Sequence, residues 1–347
     1  MQKSLQNAAF DHASEVLNGI LRYMEMPYKT PSRDVPVLWK QGNARLLDYS
    51  SLYSSPRRGE GKMLLFVPSL INRYYILDMP GHSMLEYMAR QGFRPLVLDW
   101  GVPGKFETGF GCNEYIGNIL LPTIDNICKT TGQPVTLAGY CMGGVFSLAA
   151  AQLMPKKVSA LALLATPWDF HCKAFAPYLL DSSYQQMMAG MLKGMPIVPS
   201  AMIQSLFYLT DPLVFEHKFS RFFSMDPKSA AAKEFLALEH WVNDGVPMTV
   251  KLAHDCLLGW AQGNQLAKGM WEVAGKTIDP KKLNIPLFMA IPKNDHVVPY
   301  DCAVSLANMM KNPFMVYPDT GHVSMVMGSR AQKELWNPLA GWLKSLS

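Results

Sequence analysis

Residues 135–150 read VTLAGYCMGGVFSLAA: an apolar run, a Gly-x-Cys-x-Gly-Gly turn and a second apolar run within sixteen residues. The first run reads as a buried strand and the second as a buried helix. A strand that turns so abruptly into a helix brings two backbones almost into contact. Gly139 and Gly143 leave the room for that approach. Cys141 then stands at the tip of a strained turn and at a helix N-terminus, where free backbone N–H groups favour a thiolate. Residues 131–155 carry no charged side chain and are long enough to cross a bilayer. Pro134, Gly139, Gly143, Gly144 and Gln152 interrupt them, so the stretch is expected to lie inside a globular core.

Outward from the turn, short apolar runs alternate with helical patterns, the rhythm of a parallel sheet built from βαβ units. Strands are expected at 62–69, 94–100, 158–168, 285–292 and 313–318. Helices are expected at 83–92, with Met84, Leu85, Met88 and Ala89 on one face, and at 115–129, kinked at Pro122. The alternation stops between about 171 and 280, where the chain is helical or irregular and rich in Met and aromatics. The reading is therefore an α/β fold: a mostly parallel sheet with helices on both faces and an inserted, mainly helical cap. The expected divisions are an N-terminal helix over 1–30, core segments over 31–170 and 281–347, and a cap over 171–280. The methionines at 187, 188, 191, 195 and 202 read as either a cap core or the lining of an adaptable channel.

Strand, Gly-x-nucleophile-x-Gly and helix is the elbow of α/β-hydrolases, in which nucleophile, acid and histidine follow in chain order. Asp295 lies in the loop after the 285–292 strand and His322 in the loop after the 313–318 strand. Cys141, Asp295 and His322 thus form a candidate triad: Cys141 as nucleophile, His322 as general base, and Asp295 either fixing the imidazole tautomer or itself assisting deprotonation. Asp319, beside His322, is the rival acid; Asp295 is preferred because it follows a separate strand. The Met142 amide is the expected first oxyanion donor. Ser69 or a residue just beyond it, where the first of the expected strands gives way to a loop, is the expected second, since Pro68 has no N–H. His296 is expected in a supporting position next to Asp295.

Bulk features exclude other classes. A net charge of +5 with no basic block gives nucleic-acid binding little support. Six scattered cysteines without CxxC spacing argue against a zinc site or a disulfide framework and fit a reducing cytosol. Neither metal nor cofactor is expected. The first 25 residues lack an unbroken apolar run and carry acids, so they read as an amphipathic helix and not as a secretory signal.

FVPSLINRYYILDM, LVLDWGVPG, LAGYCMGGVFSLAA, FLALEHWVNDGVPM, NDHVVPY and TGHV fall in one order over roughly 31–347. Together they resemble the catalytic subunit of the polyhydroxyalkanoate synthases, of the short type that works with a second, non-catalytic subunit. The resemblance implies an α/β-hydrolase fold with a cap over the active site. It implies an acyltransferase that polymerises (R)-3-hydroxyacyl-CoA, carries the growing polyester chain on Cys141 and releases CoA. It also implies a homodimer in the cytoplasm at the surface of a polymer granule. Tyr300 and Ser324 depart from the family, which commonly has Trp and Gly there. A cysteine-dependent hydrolase of the same fold (polyester depolymerase, thioesterase or dienelactone-hydrolase-like) and a non-catalytic granule-associated protein are the alternatives.

Overall fold

The computed structural model describes residues 2–30, 33–52, 61–173, 181–210 and 214–346. Eight strands form the main sheet: β1 (Val37–Gln41), β2 (Ala44–Asp48), β3 (Met63–Val67), β4 (Arg94–Asp99), β5 (Val135–Tyr140), β6 (Val158–Leu164), β7 (Leu287–Ala290) and β8 (Phe314–Val316). Their order is β1-β2-β4-β3-β5-β6-β7-β8. β1 and β2 form an antiparallel hairpin, and β2 runs antiparallel to β4. Every other pairing is parallel. All residues of β3, β5 and β7 are buried, as expected of continuous apolar strands covered on both faces.

The hairpin β1–β2 was not among the expected strands. Its alternation is weak, but Gly42 in the turn has φ +57°, a conformation glycine adopts without strain. The helix expected at 115–129 spans 112–131, with a π-helical turn at Ile116–Leu120 directly before Pro122. The Asn118 carbonyl, four residues before Pro122, accepts from Gln41 Nε2 instead of from a helix amide.

The apolar segment around Cys141 is β5, the turn and helix α4 (Met142–Leu153), whose residues 142–151 are all buried. Among the described residues no helix is long and apolar enough to cross a membrane.

Between β6 and β7 the described chain is mainly helical. It includes α5 (Ser182–Leu192), α6 (Ser200–Thr210), α7 (Val214–Phe223), α8 (Ala230–Asn243) and the helix 250–262, which becomes π-helical from Asp255. Residues 174–180 and 211–213 of the expected cap, and the expected boundary near 31, lie outside the described residues. The N-terminal helix α1 (Gln2–Glu25) packs on α7. There the Arg22 guanidinium donates to the carbonyls of Phe222 and Phe223, in the last turn of α7, and of Met225, just past it. Carbonyls at a helix end lack intrahelical donors, and a cation there also complements the helix dipole.

The run INRYYILD (residues 71–78) is where this helical region meets the sheet. Asn72 bridges Gly245, and the Val246 N–H donates to the Ile71 carbonyl. Trp241 Nε1 donates to the Arg73 carbonyl at 2.7 Å, and Asp244 accepts from Tyr75 Oη at 2.9 Å and pairs with Arg73. These contacts hold the loop that leaves β3, which carries Ser69.

Candidate active site

Cys141 has φ +55° and ψ −125°, a conformation that costs a non-glycine residue energy and persists only where the surroundings impose it. The imposition is visible. The Cys141 N–H donates to the Leu164 carbonyl of β6 at 2.9 Å, and the Cys141 carbonyl accepts from Gly144. A Cβ on Gly139 would meet the Gly143–Gly144 backbone and Ser147. A Cβ on Gly143 would collide with the carbonyls of Val67 and Pro68. Gly144, not singled out from the sequence, is needed as well: its Cβ would collide with the Thr166 side chain. Helix, β3 and β5 can converge only because three small residues stand at the crossing.

Asp295 lies past β7, with its side chain fully buried. Its Oδ1 accepts the N–H groups of Val297 and Val298, both at 2.8 Å. Its Oδ2 lies 2.7 Å from His322 Nδ1. One carboxylate oxygen is thus fixed by backbone and the other orients the imidazole, leaving Nε2 for Cys141. The Cys141 side chain lines the same cavity as His322 and lies close enough to act on its charge. The structure therefore brings together the three side chains expected to form the triad. Their exposures are 8% for Cys141 as a residue, and 9% and 0% for the His322 and Asp295 side chains, so the group is nearly dry.

Burial alone would lower the His322 pKa. The charges of Asp295 and Cys141, with the hydrogen bond to Asp295, override it and raise the value to about 10. The imidazole thus holds its proton across the neutral range. Because the folded value lies above the ordinary 6.5, the group contributes stability fully below pH 6.5 and loses it as pH rises through about 10. We expect NMR of the His322 ring to show a titration midpoint near 10. In Asp295→Asn the midpoint should move down, since burial remains while the opposing charge is gone. An imidazole titrating near 6.5 in both proteins would contradict this electrostatic picture.

Burial pushes Cys112 well up, reinforced by a hydrogen bond with Cys256. The hydrogen bond with Cys172, then burial, raises Cys302, and burial raises Cys128. No histidine stands among the groups acting on these three.

Met142 opens α4, so its amide is one of the four with no intrahelical acceptor. Ser69 faces the cavity beside Cys141, and its Oγ accepts from the Ile71 N–H at 3.3 Å. His296 is exposed at the rim of the same cavity. Asp319, the rival acid, is exposed: it pairs with Arg330, accepts from Asn294 and has its pKa lowered by these contacts, Arg330 first. The sequence reading missed Tyr140. Its ring lies 5.1 Å from the His322 ring, and its hydroxyl donates to the His322 carbonyl. Adjacency to the nucleophile was the available signal, since Tyr140 ends the strand that leads into the turn.

Two cavities meet at Cys141. The larger, about 480 Å³, contains His322 and is lined partly by polar groups, among them Asn72, Arg73, Gln204, Lys218 and Glu239. Lys218 pairs with Glu239 at 2.8 Å and lies over the rings of Tyr208, Phe215 and Phe219. The smaller, about 180 Å³, is lined by Cys141 but not by His322 and is apolar. Of the five methionines, Met188 and Met202 line this smaller cavity, whereas Met187 and Met191 are exposed. Met195 packs against the core. Both sequence readings of the cluster are thus partly realised. Among the described residues no group of three or more His, Cys, Asp and Glu is placed to hold a metal ion.

A family model described as alpha/beta hydrolase fold matches residues 62–328. The poly(3-hydroxyalkanoate) polymerase subunit PhaC of Haloferax mediterranei is 28% identical over 92% of this chain and 65% of its own length. The chain thus spans just under two thirds of that relative. The protein of the same name from Haloarcula marismortui is 24% identical over 100% of this chain and 75% of its own length. Among solved structures, a putative lipase from Sulfolobus solfataricus superposes with a TM-score of 0.56 at 17% identity, covering 92% of this chain and 99% of that one.

Proposed function

We propose that this chain, which belongs to the α/β-hydrolase fold family and has the poly(3-hydroxyalkanoate) polymerases as its sequence relatives, is an acyltransferase that builds a polyester from (R)-3-hydroxyacyl-CoA. The single observation that carries the reading is a buried Cys–His–Asp group at a strained elbow, in a chain related to polymerases along most of its length.

The chemistry follows from sulfur. The Cys141 thiolate attacks the thioester carbonyl, the oxyanion is met by the Met142 amide and a donor from the Ser69 loop, and CoA leaves with a proton from His322. One thioester has replaced another at almost no free-energy cost, so the acyl group stays activated. His322 then takes the proton of an incoming 3-hydroxyl, which attacks the acyl carbonyl. An oxygen ester forms downhill, and the Cys141 thiolate is released. A serine would trap the acyl group as an oxygen ester at the first step and lose that drive. Water must be kept away for the alcohol to win. We assign that task to the helical region over 171–280, acting as a cap, and place the work in the cytoplasm at a polymer surface. A homodimer and a second subunit are part of the same proposal.

Purified protein incubated with (R)-3-hydroxybutyryl-CoA tests it, with CoA release and the acyl product followed together. Insoluble polyester is the expected product. Free hydroxy acid would make the protein a cysteine hydrolase. Absence of CoA release, unchanged in Cys141→Ala, would leave a non-catalytic, granule-associated role.

A further inference from the structure

We infer that the smaller cavity is the pocket for the apolar substituent on the third carbon of the acyl unit, and that it selects side chains of about three to six carbons over a methyl group. This rests on the acyltransferase reading and deepens it.

Both cavities share Ile71, Cys141, Phe207 and Val297, so Cys141 sits at their junction. His322 lines only the larger. The groups that exchange protons with it, the departing CoA thiol and the incoming hydroxyl, must therefore occupy the larger cavity. The larger cavity also holds the charged and amide side chains that can face a polar cofactor arm. What remains for the smaller cavity, which has neither His322 nor a charged side chain in its lining, is the part of the acyl unit that carries no proton and no charge.

The smaller cavity suits it. None of its lining side chains is charged or carries an amide or hydroxyl. Its most polar lining side chains are the thiols of Cys141 and Cys256 and the indole of Trp260, whose Nε1 is buried without a hydrogen-bond partner. An apolar cavity of about 150 Å³ stays dry and accepts a six-carbon ring, and this one measures about 180 Å³. A methyl substituent would leave most of it empty, whereas a propyl or pentyl chain would fill it. The walls come mainly from the helical region between β6 and β7: Met188 and Leu192 of α5, Met202 and Ile203 of α6, and Ala253 and Ala261 of helix 250–262. Methionine at two of these positions gives a wall that repacks around chains of different length. The sheet supplies the nucleophile, and the insertion sets the length of what the nucleophile can hold.

The test is kcat/KM for CoA release from (R)-3-hydroxyacyl-CoA of four, six, eight, ten and twelve carbons. Each buried methylene should raise it about fourfold up to eight carbons, with a fall beyond ten. Ala261→Leu shortens the pocket and should lower the eight-to-four-carbon ratio at least tenfold. Met202→Ala lengthens it and should move the optimum up by about two carbons. A second readout needs no turnover: the rate at which iodoacetamide alkylates Cys141 in the presence of ethanol, hexanol or decanol. Hexanol should protect most, and less in Ala261→Leu. CoA release with a four-carbon optimum, or a length profile that neither variant moves, overturns the pocket. Length-dependent protection without CoA release from any thioester keeps the pocket and removes the acyltransferase reading. Neither protection nor release overturns both.

Discussion

Cys141→Ala should abolish CoA release, lowering the rate by about 10⁴-fold or more while leaving the protein folded. The expectation comes from the division of labour at the elbow. Without sulfur there is no covalent intermediate, and His322 has nothing to activate. The residual helix amides can still polarise a thioester carbonyl, so a small background above water is expected. The fold should survive because alanine keeps the Cβ and changes no hydrogen bond made by the backbone at 141. It would still adopt the same positive φ, imposed by the Leu164 and Gly144 contacts. Circular dichroism and thermal melting check the fold, and release of free thiol checks the rate. Cys141→Ser is the more informative variant. It should form an acyl-enzyme slowly and stall there, since transfer from an oxygen ester to an alcohol has lost its driving force. Full polymerase activity in the serine variant would remove the thioester argument.

Asp295→Asn should be nearly as damaging, at about 10⁴-fold in the rate of CoA release. Asparagine can retain the backbone contacts of Oδ1 from Val297 and Val298, so the loop after β7 should keep its shape. The loss is at the other oxygen. An amide placed there can donate to Nδ1 and hold the imidazole in the wrong tautomer, with the proton on Nε2 facing the thiol. It also removes the charge that offsets the burial of a protonated ring. Steady-state rates over a range of pH check it. A loss of less than tenfold would demote Asp295 to a loop-fixing residue and reopen the choice of acid. Asp319 would be a poor replacement, because it is exposed and already engaged by Arg330 and Asn294.

Much of this site is legible in the sequence because the elbow is a local event. Two apolar runs, three glycines and a cysteine specify strand, turn and helix within one short segment, and Asp295 and His322 follow at the ends of two further apolar strands. The parts that escape the sequence are those decided by distant packing. β1 and β2 have little alternation of their own; β2 takes strand form by pairing along β4, and β1 by pairing along β2. The methionine stripe cannot reveal which members face a cavity. That depends on how α5 and α6 lean on helix 250–262, so Met188 and Met202 turn inward while Met187 and Met191 do not. The INRYYILD run supplied a resemblance but no mechanism. Its use is visible only when Trp241 and Asp244, over 160 residues away, are seen to grip it. Tyr140 reads as one more strand residue until the His322 ring is found against it.

The most direct measurement is the mass of the protein quenched in acid milliseconds after mixing with an (R)-3-hydroxyacyl-CoA, followed by peptide mapping. One acyl adduct is expected, on the peptide containing Cys141, removed by neutral hydroxylamine as a thioester should be, and missing in Cys141→Ala. An adduct on another residue, or CoA released with no adduct at any time point, would contradict it.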